Sequence, residues 1–131
     1  MSIQTIYILG NTIEPSDSLP LQLLPKLITQ FPNIKFIHYD PTDEFQPHSS
    51  NIILIDTIVG IEHVTIFSDL TKFKQTPRNS VHDFDLMTSL ELLKKLQKIR
   101  SVQIIGIPQS GNKTIIWDDL KSTVKKILST I

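Results

Sequence analysis

The sequence predicts an α/β fold, with one mostly parallel five-stranded sheet, helices on both of its faces and one antiparallel strand. Short runs rich in β-branched residues alternate along the chain with longer stretches whose apolar residues recur at helical spacing. The run from Ile52 to Ile55 is apolar at every position, which is typical of a strand covered on both faces. These observations predict the element order β-α-β-β-β-α-β-α.

The first half of the chain is predicted to contain three strands and one helix. The strands occupy residues 3–9, 34–39 and 51–55. The helix spans residues 17–30, and its apolar stripe consists of Leu19, Leu23, Leu24, Leu27 and Ile28. Pro20 suits the first turn of this helix, where a missing N–H group costs nothing, whereas Pro25 is expected to bend or break it.

A fourth strand and a long amphipathic helix are predicted next. Residues 62–67 form the strand, and its connection to the third strand through Gly60 is too short for a helical crossover, so it should pair antiparallel or lie at an edge. The helix spans residues 83–99. Its predicted apolar face consists of Leu86, Leu90, Leu93 and either Leu96 or Ile99.

The chain is predicted to close with a fifth strand and a last helix. The strand covers residues 102–107 and stops at Pro108. The helix is expected to begin at about Asp118, because Asp118 and Asp119 suit the positive end of a helix dipole. Its inward residues are Leu120, Val124, Ile127 and Leu128.

Length, charge and cysteine content narrow the class of protein. The chain has 131 residues, of which 40% are hydrophobic, so we expect one domain over residues 1–131. Thirteen basic residues balance thirteen acidic ones, so no overall field recruits nucleic acid or an anionic membrane. No cysteine is present, which excludes disulfides and thiolate metal sites and fits a cytoplasmic protein. No apolar stretch approaches the roughly 20 residues that cross a bilayer.

Polar residues follow the predicted strands at the points where the strands end. Asp17 follows the first strand, Asp40 the second and Asp56 the third, while His82 directly precedes the long helix. The carboxyl ends of parallel strands meet at one edge of a sheet, so these side chains should converge there. Two carboxylates and an imidazole without sulfur suit a divalent transition ion. This edge, with Asp17, Asp56 and His82 among its residues, is therefore a candidate metal-binding site.

Each of these three residues also has a plainer interpretation. Asp17 is a suitable helix N-cap, Asp56 could end a strand in an Asx-turn, and His82 could be a cap or a surface residue. The remaining histidines, His38, His48 and His63, show no metal-ligand spacing. The chain contains no G-x-S-x-G, P-loop or G-x-G-x-x-G motif, so the usual hydrolase, NTPase and dinucleotide-binding interpretations lack support.

Over about residues 3–109, the order and spacing of these segments resemble the hydrogenase maturation endopeptidases. That family combines a strand followed by Gly-Asn, an acidic pair before a glycine, an apolar strand ending in Asp, a histidine before a leucine-rich helix and, in many members, a final strand with Ile-Gly-Ile-Gln-Pro. The matching segments here are Gly10-Asn11 with Asp17, Ile53-Leu54-Ile55-Asp56-Thr57, His82-Asp83-Phe84-Asp85-Leu86 and Ile105-Gly106-Ile107-Pro108-Gln109. The resemblance implies a phosphorylase/hydrolase-like α/β fold.

The resemblance also implies an activity: a metal-dependent, aspartic-type endopeptidase that removes the C-terminal extension of a nickel–iron hydrogenase large-subunit precursor. In that family the nickel belongs to the substrate, so Asp17, Asp56 and His82 would recognise it, and another divalent metal could occupy the site in the isolated protein. The implied partner is the precursor, with no nucleic acid and no membrane.

Three positions depart from the family pattern. Ser16 replaces an acidic residue, Ser18 replaces a glycine, and Pro41 interrupts a segment that is glycine-rich in the family. Loss of these glycines should stiffen the loops that a peptide backbone would approach. This favours an alternative function, a non-catalytic chaperone that binds a metal or the precursor on the same fold.

Overall fold

The computed structural model describes residues 4–10, 18–39, 45, 47, 49–74 and 81–129. Nine helices and strands lie within these ranges. In chain order they are β1 (Gln4–Ile8), α1 (Leu19–Gln30), β2 (Ile34–His38), β3 (Asn51–Ile58), β4 (Thr65–Phe67), α2 (Leu70–Lys74), α3 (Val81–Lys95), β5 (Ser101–Pro108) and α4 (Lys113–Ser129).

The strands form one five-stranded mixed sheet in the order β2-β1-β3-β5-β4. The pairs β1–β2, β1–β3 and β3–β5 are parallel, and β4 pairs antiparallel with β5 at the edge. The predicted α/β class, the mostly parallel sheet and the antiparallel edge strand are all confirmed. The central strand is β3, whose residues from Ile52 to Ile58 are all buried.

Helices cover both faces of the sheet, and each face has its own apolar cluster. On one face, α1 and α4 pack on alternate strand residues such as Ile6, Ile53 and Ile105. On the other face, α2 and α3 pack on the intervening residues, including Leu54 and Ile104. Side chains of a strand alternate between the two faces, so the apolar run of β3 supplies both clusters.

Helix α1 differs from its prediction in three ways. It begins at Leu19, after the N-cap residue Ser18, and it continues unbroken through Pro25. A proline removes one intrahelical hydrogen bond, but the packing of the apolar face holds the remaining turns in place. Ile28, which was predicted to face the core, is exposed; Leu23 and Leu27 are buried as predicted.

The predicted boundaries of the last two helices are wrong. Helix α3 stops at Lys95, because Gln97 has a φ of 60° and so turns the chain out of the helix. Helix α4 begins at Lys113, where the Asn112 side chain accepts a hydrogen bond from the Ile115 N–H at 3.1 Å. Asp118 therefore lies in the second turn and does not stabilise the start of α4.

The short helix α2 has no counterpart in the sequence prediction. Asp69 precedes it, and its Oδ1 accepts hydrogen bonds from the N–H groups of Thr71 at 2.9 Å and Lys72 at 3.2 Å. The helix inserts Leu70 and Phe73 into the core beside α3. Within the part of the chain described, no helix is long and apolar enough to span a membrane.

Candidate active site

The carboxyl ends of β1 and β3 lie side by side at the centre of the sheet. Beyond the paired residues of these strands, the Leu9 N–H donates to the Ile55 carbonyl at 2.9 Å. The Tyr39 N–H donates to the Ile8 carbonyl at the same distance, which extends the β1–β2 ladder in the same way. These bonds fix the backbone from which the loops of this edge depart.

Asp56 lies within β3, directly beside Gly106 of β5. The sequence placed it after the end of the strand, and this is wrong, because β3 continues to Ile58. It alternates with Leu54 and Ile58, so its side chain points to the face that α3 covers. Only 1% of Asp56 is exposed. The strand thus holds a carboxyl group near its carboxyl end, inside the protein.

Local backbone contact supports the Asp56 side chain. Its Oδ1 accepts a hydrogen bond from the Thr57 N–H at 2.8 Å, which is the local contact that the plainer interpretation of this residue anticipated. At an exposed strand end, such a bond would be enough to account for an aspartate. A carboxyl group buried in a central strand costs far more free energy unless other groups compensate it, so a structural turn alone does not account for Asp56.

Thr57 adds a second buried polar group to this strand. It is also almost fully buried, and its Oγ1 has no hydrogen-bond partner among the residues that the structure describes. A buried hydroxyl without a partner is uncommon and is destabilising. By the alternation of the strand, Thr57 faces α1 and α4 rather than α3.

The backbone of His82 lies in the first turn of α3, not before the helix as predicted. Helix α3 ends next to the start of β5, where the Arg100 N–H bonds the Ser50 carbonyl at 2.7 Å. The helix covers the sheet face on its way to β5, so its first turn points toward the carboxyl edge. His82 and Asp56 therefore belong to the same face and the same end of the sheet.

The structure describes only some of the other aspartates and histidines that the sequence analysis considered. Asp17 and Asp40 lie outside the described residues, as does His48. His38 is exposed, and its Nε2 lies 3.2 Å from the Gly10 carbonyl. His63 is exposed ahead of β4. Among the side chains that the structure describes, no three His, Asp or Glu residues are grouped to bind a metal. The side chains of Asp17 and His82 are not among those described, so the predicted three-residue site stays a prediction.

Solved structures provide the comparison that decides the fold. The NiFe hydrogenase maturation protease HybD from Thermococcus kodakarensis is similar over 95% of this chain and 98% of its own, with a TM-score of 0.64 and 19% identity. The hydrogenase maturating endopeptidase HybD from E. coli is similar over 97% and 91%, with a TM-score of 0.64 and 14% identity. The chain has the fold of the hydrogenase maturation proteases.

A third solved structure, an uncharacterized protein from Wolinella succinogenes, is similar over 98% of this chain and 99% of its own, with a TM-score of 0.58 and 12% identity. No protein-family model matches the sequence, and no curated protein is significantly similar to it. The likeness is thus one of backbone architecture along nearly the whole chain.

Within the maturation-protease fold, Gly106 has a packing role that the sequence did not reveal. A Cβ atom at this position would lie 2.7 Å from Cγ1 of Ile58 and 2.9 Å from the Phe67 ring. Both distances are shorter than side chains tolerate, so the residue beside Asp56 has to be glycine for β3 and β4 to pack as they do. Its position inside an apolar strand was the available signal, since glycine there often marks a close approach.

Phe45, between β2 and β3 in the chain, packs against two tyrosines and was not singled out by the sequence analysis. Phe45 is buried, with its ring centroid 4.9 Å from that of Tyr7 and 5.6 Å from that of Tyr39. Aromatic rings at such distances attract each other, which adds stability beyond that gained by burying their apolar surface. Phe45 thereby packs its ring on the α3 face of the sheet, the face toward which Asp56 points.

Proposed function

We propose that this protein is an endopeptidase that removes the C-terminal extension of a nickel-loaded nickel–iron hydrogenase large-subunit precursor. The observation that carries the proposal is the buried Asp56 at the carboxyl end of the central strand of a maturation-protease fold. A cytoplasmic location belongs to the same proposal and is supported by the absence of cysteine.

In this proposal Asp17, Asp56 and His82 recognise the nickel that the substrate brings. Oxygen and imidazole ligands suit nickel. Because the nickel arrives with the substrate and completes the site, the site would act only on loaded precursor. The bound ion can polarise a peptide carbonyl or lower the pKa of a water molecule. Asp56 is suited to a fixed role, because the Thr57 N–H and the surrounding strands hold its carboxyl group in one orientation.

The test is a processing assay on the nickel-loaded precursor, read by mass spectrometry of its C-terminus. We expect the protein to release one C-terminal peptide. The Asp56→Asn variant should slow release by more than about 100-fold, since even indirect disturbance of metal ligands costs roughly 10- to 100-fold. Asp17→Asn and His82→Ala should have effects of the same order.

A matched control is Asp118→Asn, an exposed carboxylate on α4 that pairs only loosely with Lys121 at 3.9 Å. This variant should process at the normal rate. Because Asp56 is buried, the urea unfolding curve of Asp56→Asn is recorded as well, so that a folded but inactive protein is distinguished from an unfolded one. Normal processing by folded Asp56→Asn would show that the assigned site is wrong.

A second candidate is a chaperone that binds the precursor without cutting it, and Ser18 is the observation in its favour. Ser18 replaces a family glycine, is buried, and accepts a hydrogen bond on Oγ from the Gln22 Nε2 at 2.9 Å. The start of α1 is thereby tied to its first turn. The same assay separates the two candidates, because a chaperone would co-purify with the precursor and leave its mass unchanged.

A further inference from the structure

The end of α3 and the start of β5 carry a concentration of positive charge. Lys94, Lys95, Lys98 and Arg100 are all exposed. None of these four side chains forms an ion pair or a side-chain hydrogen bond with another residue in the described part of the chain. The whole chain has no net charge, so this concentration is local. It lies at the amino edge of the sheet, opposite the candidate active site.

Two exposed leucines adjoin these charges. Leu92 and Leu96 are each 57% exposed. Leu96 directly follows α3 and its N–H donates to the Leu92 carbonyl at 2.9 Å, so the two side chains lie on one line along the outer side of the helix end. Lys95 is within one helical turn of both. We call the six residues Leu92, Lys94, Lys95, Leu96, Lys98 and Arg100 the α3 patch.

Helix stability explains only part of the α3 patch. Lys94 and Lys95 lie in the last turn of α3, where cations interact favourably with the helix dipole. Lys98 and Arg100 lie beyond the helix, where this effect has faded. Leucine has a high helix propensity, but alanine or glutamate would serve the helix about as well without exposing apolar surface, and Leu92 and Leu96 contribute little burial. The combination of unpaired cations with adjacent apolar side chains is instead typical of a surface that binds another protein.

The backbone that carries the α3 patch is held firmly. The Lys98 N–H donates to the Leu93 carbonyl at 2.9 Å and the Gln97 N–H to the Lys94 carbonyl at 3.1 Å, which closes the helix end in a Schellman motif. The Arg100 N–H is anchored on Ser50. Below the charges, a groove of about 420 Å³ is lined by Ser50, Lys94, Gln97, Lys98, Ile99 and Arg100. A surface fixed in this way loses little conformational entropy on binding.

We propose that the α3 patch docks an acidic segment of a partner protein that also presents apolar side chains to Leu92 and Leu96. Carboxylates of the segment would pair with the lysines and Arg100, and its apolar residues would cover the leucines. A nucleic acid would satisfy the charges but leave the leucines in water. A second copy in symmetric contact would oppose like charges. The patch lies away from the carboxyl edge, so this partner and a substrate can be bound together.

The probe for this proposal is a synthetic helical peptide with leucines four residues apart and glutamate at the intervening positions. The same peptide with glutamine in place of glutamate is the control. Binding to the full chain is followed by changes in the amide NMR shifts at low and at high salt. We expect the acidic peptide to change the amide NMR shifts of residues around 88–101 and to bind more weakly at high salt. The glutamine peptide should not bind.

Matched variants identify the side chains responsible. Lys94→Gln with Lys98→Gln should weaken peptide binding by about 10-fold, whereas Lys125→Gln with Lys126→Gln on α4 should change it by less than about 2-fold. Leu92→Ser with Leu96→Ser should also weaken it by about 10-fold. The matched apolar control is Ile28→Ser with Ile115→Ser, because Ile28 and Ile115 are 52% and 58% exposed.

Three kinds of result would overturn the proposal. The first is shift changes spread over the whole surface, or equal binding by the α3 and α4 lysine variants. The second is binding of duplex DNA or of anionic phosphatidylserine vesicles at this patch that the leucine substitutions leave unchanged. The third is self-association in analytical ultracentrifugation that disappears with the leucine substitutions, which would assign the patch to a second copy of this chain. None of these measurements involves processing of the precursor, so their failure is independent of the proposed function.

Discussion

At the scale of single residues, Asp56 and Thr57 place two polar side chains in the buried central strand, one toward each face of the sheet. Apolar residues at these positions would extend the two clusters and avoid the cost of burying polar groups. Along β3, the chain forgoes that gain only at the carboxyl end of the strand. This is the pattern expected where stability has been exchanged for a binding or catalytic group.

Thr57→Val tests that exchange. The hydroxyl of Thr57 has no hydrogen-bond partner among the described residues, and valine has nearly the same shape, so the free energy of unfolding should rise by about 1 kcal/mol. Urea denaturation measures the change. The matched control is Thr123→Val, which removes a hydroxyl that donates to the Asp119 carbonyl at 2.8 Å and should lower stability. A loss of stability in Thr57→Val would mean that its hydroxyl is satisfied in the folded protein.

The sequence located Asp56 but misjudged its environment. A single aspartate after an apolar run is normally a strand end, and only the pairing of β3 with β5 as far as Pro108 shows that the strand continues. The glycine inside the apolar strand β5 indicates that some group approaches closely, but the sequence does not say which, because the side chains that meet above Gly106 come from β3 and β4. Such contacts are tertiary, so their partners leave no local pattern.

At the scale of elements, strands were predicted better than helix ends. Alternating or continuous apolar runs reveal a strand directly, whereas the ends of α3 and α4 depend on capping contacts. At α4 the continuous apolar run Ile115-Ile116-Trp117 shows no helical spacing, although it lies within the helix. Asp118 is a residue type favoured at a helix start, although it lies in the second turn. The helix begins earlier because Asn112 caps it. Helix α2 has only five residues, too few to show a helical period.

Gln97→Gly tests the end of α3. Gln97 has a φ of 60°, a left-handed conformation that is unfavourable for a residue with a Cβ atom, and it occupies the position where glycine usually ends a helix. Glycine should raise the free energy of unfolding by about 0.5–1 kcal/mol, after allowance for its greater freedom in the unfolded chain. Urea denaturation provides the measurement. Gln97→Ala keeps the Cβ atom and should give no gain; equal gains from both variants would contradict the explanation.

At the scale of the whole molecule, the two apolar clusters share one sheet. Strand β3 contributes Ile53 and Ile55 to the α1–α4 side and Ile52 and Leu54 to the α2–α3 side. Because both clusters depend on β3, loss of this strand from one cluster would expose the other cluster as well. The arrangement of sheet and covering helices was predictable from the order of apolar runs, because a strand buried on both faces requires helices on both faces.

This sharing predicts that the chain unfolds as one domain. Trp117 is the only tryptophan and packs against the α1–α4 cluster, so its fluorescence reports on that side. Its urea transition should coincide with that of the far-UV circular dichroism. In the double variant Trp117→Phe with Phe67→Trp, the tryptophan lies on the α2–α3 side. Its fluorescence transition should have the same urea midpoint as the circular dichroism transition of that variant. Separate midpoints would show two independently folding parts.

The two borders of the sheet have a consequence for how the chain avoids aggregation. An exposed edge strand offers unpaired N–H and carbonyl groups to any other strand, in a partner or in a partly folded copy. On one border β4 has only three residues, which gives an incoming strand little to pair with. On the other border β2 is longer but carries the exposed cation Lys35 at its second position. A short strand at one border and a charge at the other thus limit growth of the sheet beyond the single molecule.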